Sequence, residues 1–473
     1  MDNDLKSYFE GMKGKKVFFL GAGKSNAQLI TKYASFGSQV TLCDIREENE
    51  LSSYIEAFGG LDISLNLGVN YLSNLSEADI IFRTPGIDYT KQEIQKAVLA
   101  GVVVTSEIEM FFRFCPCLTI GITGSDGKTT TSSLIAAILE KAGYMVWLGG
   151  NIGRPLFPLV EEMKKEDIAV VELSSFQLIS MKQSPDISLI TNITPNHLDH
   201  HKDMQEYIDA KRNILLYQNS NSVAVLNRDN SVTSLLASDV QGELRYFRRK
   251  PVEHGSYIRN NTLYFSSSAH LATSDNTEIN GESSDIDEIM VLDNLKLLGE
   301  HNKDNIAAAY AVTHGLVEND VFIETVREFR GVEHRIEFVR EVGGVKWFND
   351  SIATSPTRTI AGLRSFDSKI ILIAGGSDKG LSYYPLLDDL ADSVKCAFLS
   401  GPTAQSIAEV IRESKAKIEL FFTSNVESSV AAAYSYARPG DIVMLSPASP
   451  SFDSYSSFEE RGRHFKALVN LLE

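Results

Sequence analysis

The chain has 473 residues, 43% hydrophobic and 23% charged, a length that fits two to four cores of about 100–200 residues each and a composition typical of globular proteins. No apolar run approaches the roughly 20 residues a bilayer-spanning helix needs, and the start Met1-Asp2-Asn3-Asp4-Leu5-Lys6 has neither the basic nor the apolar region of a secretory signal, so no membrane association and a cytoplasmic location are expected. The excess of 62 acidic over 45 basic residues gives a formal net charge of -17, which repels polyanions and argues against a nucleic-acid partner.

The first element in chain order is a βαβ opening from Lys15 to Asp44: the apolar run Val17-Phe18-Phe19-Leu20, a glycine turn, an amphipathic helix, and the strand Val40-Thr41-Leu42-Cys43-Asp44. The turn Gly21-Ala22-Gly23-Lys24-Ser25-Asn26 follows the GxGxxG pattern, with Asn26 replacing the third glycine, and Asp44 and Arg46 stand at the second strand's end. Read alone, this turn suits a nicotinamide dinucleotide with Asp44 on the ribose. The four cysteines, Cys43, Cys115, Cys117 and Cys396, are too few for a disulfide framework, and Cys115-Pro116-Cys117 lacks CxxC spacing, so reduced, mostly buried thiols are expected.

A second opening begins at Leu118-Thr119-Ile120-Gly121-Ile122-Thr123, runs through Gly124-Ser125-Asp126-Gly127-Lys128-Thr129-Thr130, and continues as a helix from Thr130 to Ala142. A glycine turn between strand and helix lets backbone N–H groups converge on phosphate oxygens, while a lysine neutralises charge and the next hydroxyl can hold Mg²⁺. Gly124, Gly127, Lys128 and Thr129 fit those roles, although the strict Walker pattern fails because Ile122 stands where its first glycine belongs. A turn that merely packs has no reason to carry a lysine followed by two hydroxyl residues.

The strand Ile168-Ala169-Val170-Val171 ends at Glu172, a hard oxygen donor where Mg²⁺ would be wanted. The next strand, Ser188 to Ile193, leads into Thr194-Pro195-Asn196-His197-Leu198-Asp199-His200-His201. His197 and His201 have the His-x-x-x-His spacing of a helical zinc site, but Leu198 replaces the glutamate a zinc protease requires, which discounts that reading. Lys211, in a helical stretch from Gln205 to Tyr217, reads by periodicity as a solvated surface lysine. Residues 240–287, polar and containing Thr262-Leu263-Tyr264-Phe265, predict hairpins and loops. After Val345-Lys346-Trp347-Phe348, strands at Ile370–Ala374, Cys396–Leu399 and Asp441–Leu445 predict a third, smaller αβ sheet. The expected fold is α/β in three domains: a Rossmann-like domain at 1–105, a central P-loop-type ATPase domain at 106–331, and a Rossmann-like domain at 332–473.

The spacing Gly-x-x-Gly-Lys-Thr-Thr is similar to that of the Mur ligases and folylpolyglutamate synthetases. The run Val171-Glu172-Leu173-Ser174-Ser175-Phe176-Gln177-Leu178 resembles the signature of the D-glutamate-adding branch of the Mur ligases. Further matches follow in family order over essentially the whole chain, among them Gly149–Gly153, Asn192–Asp199, Gly299–Asn302 with Asn305, His334-Arg335, Asn349-Asp350-Ser351, Gly375-Gly376, and Leu445–Ala448 with Ser451. The resemblance implies an ADP-forming ligase that joins D-glutamate to UDP-N-acetylmuramoyl-L-alanine, with ATP and two Mg²⁺ ions, acting as a monomer. It implies that Gly124, Ser125, Asp126, Gly127, Lys128, Thr129 and Thr130 hold the ATP phosphates. Thr129, Glu172, His197 and a carbamylated Lys211 would surround the metal; Asn302 and Asn305 would lie near the adenine, Arg335 at the γ-phosphate, and Asp350 on the ribose. The UDP end would meet Gly21, Gly23, Lys24, Ser25, Asp44, Ile45, Arg46, Thr84, Pro85 and Gly86, and the muramoyl-alanine end Asn151, Ser174 and Gln177. Thr354, Lys379, Ser451 and Phe458 would grip D-glutamate. One departure stands out: Ile352 occupies a position where the family commonly has a lysine, and Arg358, on the same helix by spacing, or Lys379 could supply the cation. Three alternatives remain open at this level: a sister ligase with another amino acid, an inactive nucleotide-binding regulator suggested by Ile352, and an NAD oxidoreductase suggested by Gly21-Ala22-Gly23.

Overall fold

The computed structural model describes residues 5–196, 200–267, 286–366, 368–414 and 416–473, the side chain of Lys24 excepted. Among these residues the chain is a mixed α/β protein with three sheets. The first comprises β1 (Lys16–Leu20), β2 (Gln39–Asp44), β3 (Ile63–Leu67), β4 (Ile80–Arg83) and β5 (Val103–Thr105), all parallel, in the order β3-β2-β1-β4-β5. The order reverses between β1 and β4. In open parallel sheets such a reversal leaves a crevice beyond the strands' carboxyl ends where ligands bind.

The second sheet comprises β6 (Leu118–Thr123), β7 (Val146–Gly150), β8 (Ile168–Glu172), β9 (Ile187–Ile190), β10 (Val223–Asn227), β11 (Glu243–Arg248), β12 (Gly255–Arg259), β13 (Thr262–Ser266) and β14 (Ile286–Val291). Its order is β14-β13-β12-β11-β10-β9-β6-β8-β7, and only the β12–β13 and β13–β14 pairs are antiparallel. β8 is buried at every residue, as an unbroken Ile-Ala-Val-Val run in the middle of a parallel sheet requires. The third sheet comprises β15 (Glu337–Val342), β16 (Val345–Asn349), β17 (Ile370–Gly375), β18 (Val394–Ser400), β19 (Glu419–Phe422) and β20 (Ile442–Leu445), in the order β15-β16-β20-β17-β18-β19, with only the β15–β16 pair antiparallel. By contact density the chain forms two compact units, residues 1–293 with 304–325, and residues 294–303 with 326–473.

The helix after β6 starts at Lys128 rather than Thr130 and ends at Lys141, because Gly127, at φ +80°, takes the left-handed turn that lets the helix begin directly behind it. Leu134, Ile135, Ile138 and Leu139 are buried along that helix, as their spacing requires. His201 is not on a helix: the following helix is Met204–Leu216, with Asp203 as its N-cap, accepting from the Glu206 amide at 2.9 Å. Ile352 and Arg358 do not share a helix either, since Pro356 opens the helix Pro356–Leu363. The region from Val240 carries β11 to β13 and re-enters as β14, as the polar, β-rich text suggested; its residues 268–285 lie outside the described ones. All four cysteines are free, and Cys43, Cys117 and Cys396 are buried.

Candidate functional site

The strand β6 delivers the loop Gly124–Gly127, and two glycines permit its course. A Cβ on Gly124, at φ +150°, would lie 1.9 Å from Thr191 Oγ1, and one on Gly127 would lie 2.5 Å from Asn305 Oδ1. The loop is clamped to the segment after β9. Ser125 N donates to Asn192 O at 2.8 Å, Asp126 N to Asn192 Oδ1 at 3.0 Å, and Thr191 Oγ1 to Asp126 O at 2.6 Å. The buried Ser125 hydroxyl takes the Thr194 amide at 2.9 Å and lies 3.0 Å from Tyr207 OH. Lys128 Nζ folds back on the loop, donating to Gly124 O at 2.8 Å and Ser125 O at 3.0 Å. A cation thus stands over a helix N-terminus whose first amides need acceptors, a combination suited to phosphate.

Around this loop three sequence-selected residues come together. Glu172, at the end of β8 and 1% exposed, accepts from Thr129 Oγ1 at 2.8 Å and from Asn151 Nδ2 at 2.7 Å. A buried carboxylate hydrogen-bonded by a hydroxyl and an amide, with no ammonium or guanidinium bonded to it among the described residues, is an oxygen donor set that suits a hard cation such as Mg²⁺. Lys211 is not the solvated lysine that periodicity suggested. It is 1% exposed and donates to Gly124 O at 2.8 Å and Thr123 Oγ1 at 3.2 Å, with its ammonium 4.8 Å from the centre of the Tyr207 ring. Burial, and then the neighbouring charge of Lys128, push its pKa well below the usual lysine range. His197 lies outside the described residues. His201 is buried, its Nε2 2.9 Å from Ser175 Oγ and its Nδ1 3.0 Å from Glu206 Oε1, and its ring stacks on Phe176 with centroids 4.9 Å apart. Both ring nitrogens are engaged within the protein, which gives it a packing role.

At the reversal point of the first sheet, Gly21 and Gly23 face the turn Thr84-Pro85-Gly86. A Cβ on Gly21 would lie 2.4 Å from Thr84 Oγ1, and one on Gly23 would lie 3.2 Å from Thr84 Cγ2. Asn26, in the third-glycine position, is buried and holds the turn by donating to Leu20 O and Gly21 O. Asp44 accepts from the Ala22 amide at 2.6 Å and from Arg46 through Nε at 2.9 Å and Nη2 at 2.8 Å. Although burial alone would raise its pKa, these bonds hold it down at about 2. Both carboxylate oxygens are therefore engaged within the protein, and Ile45, 63% exposed, is the open surface beside them.

In the second unit the ends of β16, β20 and β17 gather Asn349-Asp350-Ser351, Ser446 to Ser451, and Gly375-Gly376. Asp350 is 3% exposed and accepts from Ser446 Oγ at 2.7 Å and the Ile336 amide at 3.2 Å. Ser451 is buried, Lys379 is exposed, and Thr354 and the ring of Phe458 are half-buried. Asn302, buried, belongs to this unit, and Asn305, also buried, to the other. Sequence reading passed over Arg461. It is 2% exposed and ties Ser351 to Ser449 and Pro450 through bonds of 2.9–3.2 Å; nothing distinguishes it in the text from an ordinary helix arginine. Glu333, His334 and Glu337 cluster closely enough for a cation, but Lys466 Nζ already bonds both carboxylates at 2.7 and 2.8 Å.

Burial raises the Asp350 pKa from 3.8 to about 7. The native state then holds a proton that the unfolded chain has lost, so this group's contribution to stability is present below about pH 4 and disappears as pH rises to about 7. Asp350→Asn is expected to remove that slope, worth on the order of 4 kcal/mol as an upper bound. Thermal unfolding of the two proteins across this window checks it: the wild type should lose more stability with rising pH than the variant, and parallel curves would mean Asp350 is ionised in the native state.

Residues 122–313 match the Mur ligase middle domain, and residues 334–449 match the Mur ligase glutamate ligase domain. The chain is 45% identical to a UDP-N-acetylmuramoylalanine–D-glutamate ligase of Acetivibrio thermocellus and 43% identical to one of Clostridium botulinum, in both cases over 100% of each chain. Among solved structures it is similar to a UDP-N-acetylmuramate-alanine ligase from Thermotoga maritima, with a TM-score of 0.56 at 17% identity, covering 96% of this chain and 99% of that one.

Proposed function

The chain belongs to the Mur ligase family, and on that premise we propose the reaction it carries out: ATP-dependent addition of D-glutamate to UDP-N-acetylmuramoyl-L-alanine, in the synthesis of the peptidoglycan precursor. The observation that carries this reading is the cluster in which the loop Gly124–Thr130, Glu172 and Lys211 converge, in a chain matched end to end by D-glutamate ligases. The reading includes a Rossmann-like UDP-binding domain at 1–105, a P-loop-type ATP domain at 106–331 and a Rossmann-like amino-acid domain at 332–473, in a monomeric cytoplasmic enzyme.

A carboxylate has no leaving group, so an amide does not form from it and an ammonium in water. Transfer of the ATP γ-phosphoryl group to the alanyl carboxylate makes an acyl phosphate; the D-glutamate amine then adds to the carbonyl, and phosphate departs from the tetrahedral intermediate. Lys128 would turn from Gly124 O and Ser125 O to the phosphates and spread the charge of the transferring group. Bound Mg²⁺ supplies further charge neutralisation, and Thr129 and Glu172, with His197 and carbamylated Lys211, would hold the two ions. Asn305 would meet the adenine side together with Asn302, while Arg335 and Asp350 would reach the γ-phosphate and ribose. Asn151, Ser174 and Gln177 would orient the alanyl end. The serine and glutamine already form a capping box, with Gln177 Oε1 accepting from Ser174 N at 2.9 Å. Thr354, Lys379, Ser451 and Phe458 would select D-glutamate.

The expected result is ADP release only when the nucleotide acceptor and D-glutamate are both present, measured with each candidate amino acid in turn. Equal ATP turnover without the amino acid would remove the ligase assignment, and preference for another amino acid would move the chain to a sister activity.

A further inference from the structure

Arg83 closes β4 at the reversal point of the first sheet and is 2% exposed. No carboxylate among the described residues is hydrogen-bonded to it. Its Nη1 donates to Ile87 O at 2.7 Å and more weakly to Thr84 O at 3.4 Å, holding the turn Thr84-Pro85-Gly86 from behind. Its Nη2 donates to Phe176 O at 2.8 Å and to Ser180 Oγ at 3.3 Å, holding the short helix Ser175–Leu178. Nε is buried and has no partner among the described residues. The acid whose charge acts most on it is Glu109, which accepts from Ser106 Oγ at 2.7 Å and Ser180 Oγ at 3.4 Å, and burial raises its pKa. Burial likewise lowers the pKa of Arg83, with the Glu109 charge opposing. A guanidinium so enclosed, without a directly bonded counter-charge, is costly to bury. What it provides is a rigid planar fork whose one end holds the adjoining turn and whose other end reaches Phe176, 93 residues along the chain.

We propose that Arg83 is a positioning residue: it fixes the distance between the turn that receives the nucleotide end of the acceptor and the helix that receives its amino-acyl end. This rests on the reading above of which segments meet which end. One molecule held at two places gains affinity from the second contact only if the two places stand at the right separation. A strut between them sets that gain without touching the substrate. At the near end Thr84 packs directly over Gly21 and Gly23, which keeps the turn seated on its own glycine loop when Arg83 is changed, so the loss falls on its separation from the helix.

The test compares UDP alone with UDP-N-acetylmuramoyl-L-alanine by calorimetry on wild type, Arg83→Met and Arg83→Lys. In Arg83→Met, UDP affinity should stay within about threefold, the full acceptor should weaken about tenfold or more, and KM for ATP should not change. Arg83→Lys, which keeps the charge and loses the fork, should fall between. Ser180→Ala removes one far contact of Arg83, together with the Ser180–Glu109 bond, and should shift the acceptor in the same direction by about twofold to threefold. Should Arg83→Met not fold, Arg83→Lys and Ser180→Ala decide. Equal weakening of UDP and full acceptor, or no weakening of either, overturns the proposal. A wild type that binds the full acceptor no better than UDP would instead overturn the assigned substrate.

Discussion

Lys128→Met is expected to lower the rate of ADP release by about a thousandfold or more while leaving the fold intact. The side chain is half-buried at the first position of the helix Lys128–Lys141, and its ammonium donates to two loop carbonyls. Its removal therefore leaves the clamp of Asn192, Thr191 and Thr194 on the loop in place. What is lost is a unit charge at the point where negative charge shifts during phosphoryl transfer. The loss should appear in kcat more than in the KM for ATP, because the loop amides and the helix terminus continue to bind ground-state phosphate. A second effect follows from proximity. The charge of Lys128 helps hold down the pKa of Lys211, so the variant should also make that amine more basic. A coupled ADP-release assay with a melting curve on the same preparation checks the result; retention of more than a tenth of the activity would show that the loop does not work through this lysine.

The phosphate loop was legible because its chemistry is local: glycines, lysine and hydroxyls follow one another between an apolar strand and an apolar-periodic helix. Strand-end carboxylates were legible for a similar reason, since Glu172 terminates an unbroken apolar run. The burial of Lys211 was not legible from periodicity. Its helix has an ordinary periodicity, and only the packing of Met204–Leu216 against the carbonyl side of the loop turns a surface-type lysine into a buried amine. Asp44 shows the converse: the glycine turn with a following acid reads as a ribose site, but Arg46, two residues on, occupies the carboxylate. Arg83 and Arg461 were invisible because each acts through acceptors about 90 to 110 positions away or on a separate loop, and a single sequence carries no trace of such pairs. Arg83 had one faint signal, a cation placed as the last residue of an otherwise apolar strand, Ile80-Ile81-Phe82.

Lys211→Met is expected to cost about a hundredfold or more in kcat, and wild-type activity is expected to depend on dissolved CO₂. Burial and the charge of Lys128 favour the neutral amine at Lys211, and only the neutral amine carries the lone pair that can attack CO₂. The N–C bond forms as one C=O electron pair moves to oxygen, the nitrogen gives its proton to water, and a carbamate results. A neutral amine beside the loop would thereby become an anion near Lys128, which adds attraction to that cation and oxygen donors to the Thr129 and Glu172 set. Because the amine must be unprotonated to react, re-formation of the carbamate should slow as pH falls. Enzyme stripped of CO₂ under mildly acidic conditions should lose activity and recover it with bicarbonate, and native mass spectrometry should show the mass of one CO₂ leaving and returning. Lys211→Met should be insensitive to the treatment. Full wild-type activity in CO₂-free buffer, with an unmodified mass, would instead leave Lys211 as the amine seen here, bonded to Gly124 O, and its contribution would then be to hold the loop rather than to bind metal.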